Sequence, residues 1–180
     1  MKLFRVEGYN LNISEEAYLL KPFKVLWDRD RTKDKSNALM ELGYIYFMED
    51  PRSDYQTYID PEQRAEQIKL GEGLKETWKP DVKVLDAQKF YASFKSDSAL
   101  LLEDLRAMVS KLRAHLKRID LDAVDSKGKP IYNVDSYTKT VTDLNKLILS
   151  IDETEKNINR ELTQSDKVRG TVEKSMYEDV

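Results

Sequence analysis

The chain has 180 residues, 35% of them charged and 40% hydrophobic, with a formal net charge of -3. That is enough apolar material for one ordinary domain, or for a compact body with an extended projection, beside much solvated surface. The negative balance excludes the basic excess on which phosphate recognition depends, so no direct nucleic-acid contact is expected. The absence of cysteine excludes disulfides and thiolate metal sites and fits a reducing compartment. No apolar run approaches the ~20 residues of a transmembrane helix, and the N-terminus lacks the apolar stretch of a signal peptide. The expectation is a soluble protein made in cytoplasm, without membrane contact, and its six Gly and five Pro favour long helices over loops.

Residues 1 to 13 alternate loosely through Leu3, Phe4 and Val6 before Gly8 and read as an arm or a short strand. Ser14 suits the N-cap of a helix opening Glu15-Glu16, whose carboxylates complement the positive end of the macrodipole. Pro22 starts a second turn with Phe23, Leu26 and Trp27, and Asp28 to Lys35 reads as a solvated connector of mixed sign. Ala38, Leu39, Leu42, Ile45, Tyr46 and Phe47 predict a central helix over 37–48, ended by Asp50-Pro51. Asp60 before Pro61 predicts a capped helix over 61–70 that Gly71 terminates. Gly71, Gly73 and Trp78-Lys79-Pro80 then mark a boundary, which gives an N-terminal arm and short-helix body over 1–80.

Residues 81–162 carry the spacing of a long antiparallel helical hairpin. Asp81 caps a helix with Val84, Leu85, Phe90, Tyr91 and Phe94 on its apolar face. Ser96-Asp97-Ser98 weakens a helix interior and caps well, so continuity through to Ile119 and a restart there both remain open. Leu102, Leu105, Val109, Leu112, Leu116 and Ile119 alternate spacings of three and four, and Val134, Tyr137, Val141, Leu144, Ile148 and Ile151 repeat the pattern, which resumes at Ile158 and Leu162. Aligned antiparallel, Leu102 faces Ile151 and Val109 faces Leu144; Ser98 then meets Glu155, with Lys95 in reach of that carboxylate. The tip, about 120–133, places apolar residues on both sides of Ser126-Lys127-Gly128-Lys129, as in a small β-hairpin or a plain loop. Periodicity fades after Leu162, and 163–180 reads as a flexible or docking tail. The fold class is mainly α.

No catalytic or metal-binding set accompanies this layout, so neither an enzyme nor a cofactor is expected. His115 is the only histidine, at the edge of the heptad seam. Asp120, Asp122 and Asp125 fail as a calcium loop, because Val124 stands where a ligand is wanted, Asp125 where glycine is wanted, and Ile131 where the bidentate glutamate should be. Gly71-Glu72-Gly73 lacks the Lys-Ser/Thr pair of a phosphate loop. Lys111, Arg113, Lys117 and Arg118 can complement a helix C-terminus, or meet an acidic partner or phosphate. The aromatics Tyr44, Tyr46, Phe47, Tyr55 and Tyr58 can close a core or anchor a partner. The candidate partner-binding residues are therefore Tyr55, Tyr58, Lys111, Arg113, Lys117 and Arg118, with Met176 and Tyr177 in the tail.

Residues 38–68, ALMELGYIYFMEDPRSDYQTYIDPEQRAEQI, resemble virion structural proteins of tailed bacteriophages. The likeness lies in the helix ELGYIYFMED, a short aromatic turn, the DPEQR helix opening and a long helical hairpin with a DSKGKP tip. Within that class a head-to-tail connector, or adaptor ring protein, is most similar. The resemblance implies a homo-oligomeric ring built by lateral packing, bound to the portal and to neighbouring tail or connector proteins, in a virion assembled in the host cytoplasm. The length of the hairpin departs from that pattern and leaves another virion role open. The competing class is a cytoplasmic helical adaptor or regulatory module that binds a partner through the hairpin.

Overall fold

The computed structural model describes residues 3–7 and 10–175, with backbone alone at 5–7, 10 and 162–175. The chain is mainly helical and divides into two compact units, Met1–Ser96 and Asp97–Val180. The boundary thus falls after Ser96 and not at the expected position near residue 80. The reason is burial: Val84 and Ala87 join the core of the first unit, with Phe90 and Tyr91 packed against it, so the helix capped by Asp81 belongs to the body.

The first unit contains strands β1 (Phe4–Glu7) and β2 (Asn10–Ile13), paired antiparallel with Phe4 opposite Ile13. Five helices follow: α1 (Glu15–Leu19), α2 (Lys21–Arg29), α3 (Ser36–Glu49), α4 (Pro61–Gly71) and α5 (Val82–Ala92), with a 3-10 turn at Asp54–Thr57 between α3 and α4. Helix α3 is buried around most of its circumference, through Ala38, Leu42, Gly43, Tyr44, Ile45, Tyr46 and Met48. A helix apolar on all sides belongs at the centre of a core. Aromatic rings fill the space beside it: Phe4 meets Tyr91 edge-on at 5.0 Å, and Phe23 meets Phe90 in the same way at 5.8 Å.

Helix ends follow the sequence in part. Asp60 and Asp81 accept cap bonds from the amides of Glu62 and Val84. Ser14 occupies the N-cap of α1 in an extended conformation, but its hydroxyl is buried without a partner and makes no cap bond. Gly71 lies inside α4, and the stop is Gly73 at φ +66°, where the Leu74 amide donates to the Lys69 carbonyl. Gly71 has another reason: a Cβ there would sit 2.0 Å from the Tyr55 hydroxyl oxygen.

The expected solvated connector at 28–35 is in fact built around a buried carboxylate. Asp30 accepts from the amide and hydroxyl of Thr32 and, through its other oxygen, from the Ala38 amide in the first turn of α3. Burial alone would push this carboxyl up, but the amide and side-chain donors outweigh it and hold the group well below the ordinary carboxylate range. Lys35, in the left-handed region at φ 56°, folds its ammonium back onto the carbonyls of Trp27 and Asp30 and so satisfies the end of α2.

The second unit is the hairpin of α6 (Asp97–Leu116) and α7 (Val134–Ser175). No single helix runs from Asp81 to Ile119; the chain turns after Ala92 and restarts at Asp97. Lys95, expected in reach of Glu155, pairs with Glu49 inside the first unit at 2.6 Å. At the tip, a lone antiparallel bridge joins Val124 to Pro130, with Gly128 at φ +75°, a reduced form of the expected β-hairpin. Asp125 accepts from the amides of Lys127 and Lys129, and Asp120 from that of Asp122, so these acids brace turns. The expected tail does not begin at 163: α7 continues as one 42-residue helix to Ser175, and Met176 and Tyr177 lie outside the described residues.

Candidate functional site

Polar groups in the first unit are absorbed by structure. Asp50 accepts from Arg52 and from the Tyr91 hydroxyl, while Arg52 also reaches the Phe4 carbonyl, tying α3, α5 and β1 together. Burial, then the neighbouring Asp50 charge, pushes the Tyr91 hydroxyl far above its ordinary range, which suits a donor and not a base. An open depression lined by Arg29, Asp30, Thr32, Asn37 and Glu41 is similarly occupied: Arg29 bridges Glu41 and Asp81, and Asp30 caps α3. Among the described residues no group of His, Cys, Asp or Glu is arranged to hold a metal, and no helix is long and apolar enough to cross a membrane.

The hairpin is different because its apolar surface exceeds what two helices can cover. Ala99, Leu102 and Val109 on α6, and Thr154 and Ile158 on α7, are buried, with Ile151 against the same cluster. Their spacing of three and four defines the inward columns. Arg106 shares the α6 column and donates to Glu155 at 2.7 Å, although its other terminal nitrogen is buried without a partner. Ser98 bonds Glu161 at 2.7 Å.

These contacts correct the expected register. Glu155 meets Arg106 instead of Ser98, and Leu102 sits in a cluster with both Ile158 and Ile151 instead of facing Ile151 alone. Relative to the aligned stripes, α7 has slid by about seven residues, close to two helical turns. The inward face has also rotated, leaving Val141 and Ile148 exposed and Leu105 and Leu112 half-buried.

Each helix consequently has a third apolar column outside the seam. On α6 it holds Leu101 and Met108, 51% and 50% exposed, with Leu105 and Leu112 at its inner edge; on α7 it holds Val134, 62% exposed, Val141 and Ile148. Successive residues step about 100° around a helix. The α6 column lies roughly a third of a turn behind its inward face, and the α7 column about a quarter turn ahead of its own. Reversing a helix reverses its rotational sense, so in an antiparallel pair these columns open on opposite flanks.

No known family, curated protein or solved structure matches this chain. Of the candidate residues, Tyr55 packs edge-on against Phe47 and donates its hydroxyl to Glu72, closing the first unit's core, while Tyr58 is part-exposed. Lys111, Arg113, Lys117 and Arg118 are all exposed at the end of α6 and just beyond it. The structure thus places the tyrosines and the cations in different units. Sequence reasoning missed the open columns because it assigned every apolar residue of both stripes to one seam; the extra apolar residues Leu101, Met108 and Leu149 were the signal for a wider face.

Proposed function

We propose that this chain is a structural assembly subunit that works through its hairpin, and that it serves as a ring-forming head-to-tail connector on the portal of a tailed-phage particle. The observation that carries the assembly reading is the surplus of apolar columns on α6 and α7, since contiguous exposed apolar surface marks interaction sites. The particle assignment comes from the resemblance of residues 38–68. An aromatic-cored body and an open hairpin suit a small subunit whose individually limited contacts add up when each copy in a closed ring engages two neighbours.

Imaging of purified particles tests the reading: the chain should form a symmetric ring on the portal axis. Its absence from particles, or its spread over the whole capsid, would reject the connector assignment. A monomer captured by a host protein through the hairpin would favour the adaptor class instead.

A further inference from the structure

We infer that the middle of the hairpin is a docking surface for a short, acidic, amphipathic helix of a partner protein. The inference rests on the assembly reading above and names the chemistry of one contact. It is carried by the way charge is divided along the hairpin.

At the root, residues 97–106 and 152–161 hold seven acids and three bases, and at the tip 120–135 hold four acids and two bases. Between them, 107–119 and the facing 136–151 hold six cations, Lys111, Arg113, Lys117, Arg118, Lys139 and Lys146, and a single acid, Asp143. A chain of net charge -3 thus gathers a positive band about 20 Å long, at ~1.5 Å per residue. Lys146 meets Asp143 at 3.0 Å across exposed side chains, a contact weak enough to be exchanged. Among the described residues no ion pair engages the other five cations, all of them exposed. The nearest tip acids are already used locally, because Asp120 and Asp125 accept from backbone amides. The α6 macrodipole favours cations only in its last turn, which covers Arg113, Lys117 and Arg118 but not Lys111. Lys139 and Lys146 lie in the first third of α7, where the dipole gives a cation no advantage.

The band also has an apolar stripe between its charges. Met108, 50% exposed, and half-buried Leu112 open on one flank of the hairpin. Lys111 stands about 60° beyond Met108 on the solvent side of α6. Lys139 and Lys146, seven residues apart, share a face of α7 roughly opposite the Ile148 column and therefore on the flank where Met108 opens. An apolar stripe edged by lysines on both sides matches a helix with an apolar face edged by carboxylates. A phosphate backbone would leave Met108 and Leu112 uncovered, and a long polyanion would run on over the acidic root and tip. The band fits a segment of a little under four helical turns.

The test uses the full-length chain and fluorescence anisotropy. The probe is a labelled peptide of about 14 residues with Leu on one helical face and Glu on the other, beside a scrambled peptide of the same composition and a DNA duplex of about 20 base pairs. The facially ordered peptide should bind more tightly than either comparator. Combining Lys111→Gln, Lys139→Gln and Lys146→Gln should weaken it roughly tenfold or more. Removing three exposed cations from the first unit, by Lys21→Gln, Lys24→Gln and Lys33→Gln, should leave it within about twofold if location and not net charge matters. Met108→Gln should lower affinity for the ordered peptide and not for the scrambled one. Equal weakening by both triple variants, or no weakening by either, overturns the surface. Tighter binding of the duplex through the same lysines assigns the band to nucleic acid and overturns the protein partner. Self-association in light scattering that the Lys111, Lys139 and Lys146 substitutions abolish identifies a second copy as the occupant and overturns it equally. The assembly reading fails separately, by the absence of the chain from particles, which moves none of these affinities.

Discussion

The two units solve the same burial problem unequally. In the first, short elements surround α3, and Phe4, Phe23, Leu26, Leu42 and Ile45 are wholly buried. In the second, α6 and α7 have only each other, and complete burial reaches few side chains, such as Leu102. A pair of helices can seal a narrow seam, but a face three columns wide needs a further layer. The unsatisfied apolar surface of this protein is therefore on the hairpin: the body closes on itself and the hairpin does not.

The largest expected effect breaks that contrast most directly. Phe23→Ala removes a fully buried ring that touches Phe4, Phe90 and Tyr91 and should cost about 3–5 kcal/mol in denaturant unfolding. Leu101→Ala, on the open flank of α6, should stay within about 0.5 kcal/mol in the dissociated chain. Comparable losses at the two positions would show that the hairpin flank is covered even without a neighbour.

The body was more legible in the sequence than the hairpin's pairing. Asp60-Pro61, Asp81 and the run from Ala38 to Phe47 mark their helices because caps, proline and apolar density act locally. Asp30 gave no such signal, since its Ala38 partner lies eight residues on and burial is set by elements far away in sequence. The hairpin's helices were visible for the same local reasons, but a heptad pattern fixes neither the slide along the partner nor the choice among adjacent columns. Here Arg106 with Glu155 and Ser98 with Glu161 decide between registers that apolar spacing alone makes nearly equivalent. The candidate site was legible only as a surplus of leucine, valine and methionine, whose exposure depends on that register.

The register is itself open to a test of intermediate size. Leu102→Ala empties a buried position and should cost about 2–4 kcal/mol, more than Leu112→Ala at its half-buried site. Cysteines at Ala99 and Ile158, which share one cluster, should cross-link within a chain, whereas cysteines at Ser98 and Glu155 should not. The reverse result would restore the alignment that places Leu102 opposite Ile151.

Alkali should strain the body through its tyrosines. Burial, followed by Asp50, raises the Tyr91 pKa, and burial with the same neighbouring charge pushes Tyr46 to about 12. An unfolded tyrosine ionises near pH ~10, so above that pH the unfolded state has lost a proton that the folded state keeps. Stability is then fully present below pH ~10 and falls as pH rises, by up to about 1.4 kcal/mol per pH unit for Tyr91. Tyr91→Phe should flatten the slope measured by thermal unfolding between pH 9 and 11; an unchanged slope would mean that Tyr91 ionises as readily in the folded chain.

The smallest effect contrasts the units by sign. Thr32 donates its hydroxyl to the buried Asp30 carboxylate at 2.7 Å, and Thr32→Ala should destabilise the body by removing a bond that holds the start of α3. Thr142, exposed near the start of α7, turns its hydroxyl back onto the Thr138 carbonyl at 3.0 Å, a local bond that competes with regular helix geometry. Alanine loses no side-chain entropy in a helix and has the higher propensity, so Thr142→Ala should stabilise the hairpin by about 0.3–0.6 kcal/mol. Helicity followed by circular dichroism during unfolding resolves the two signs. A loss at Thr142 as large as that at Thr32 would mean that this turn of α7 is already held by packing, and the surplus surface would then have to be sought nearer Leu101 and Met108.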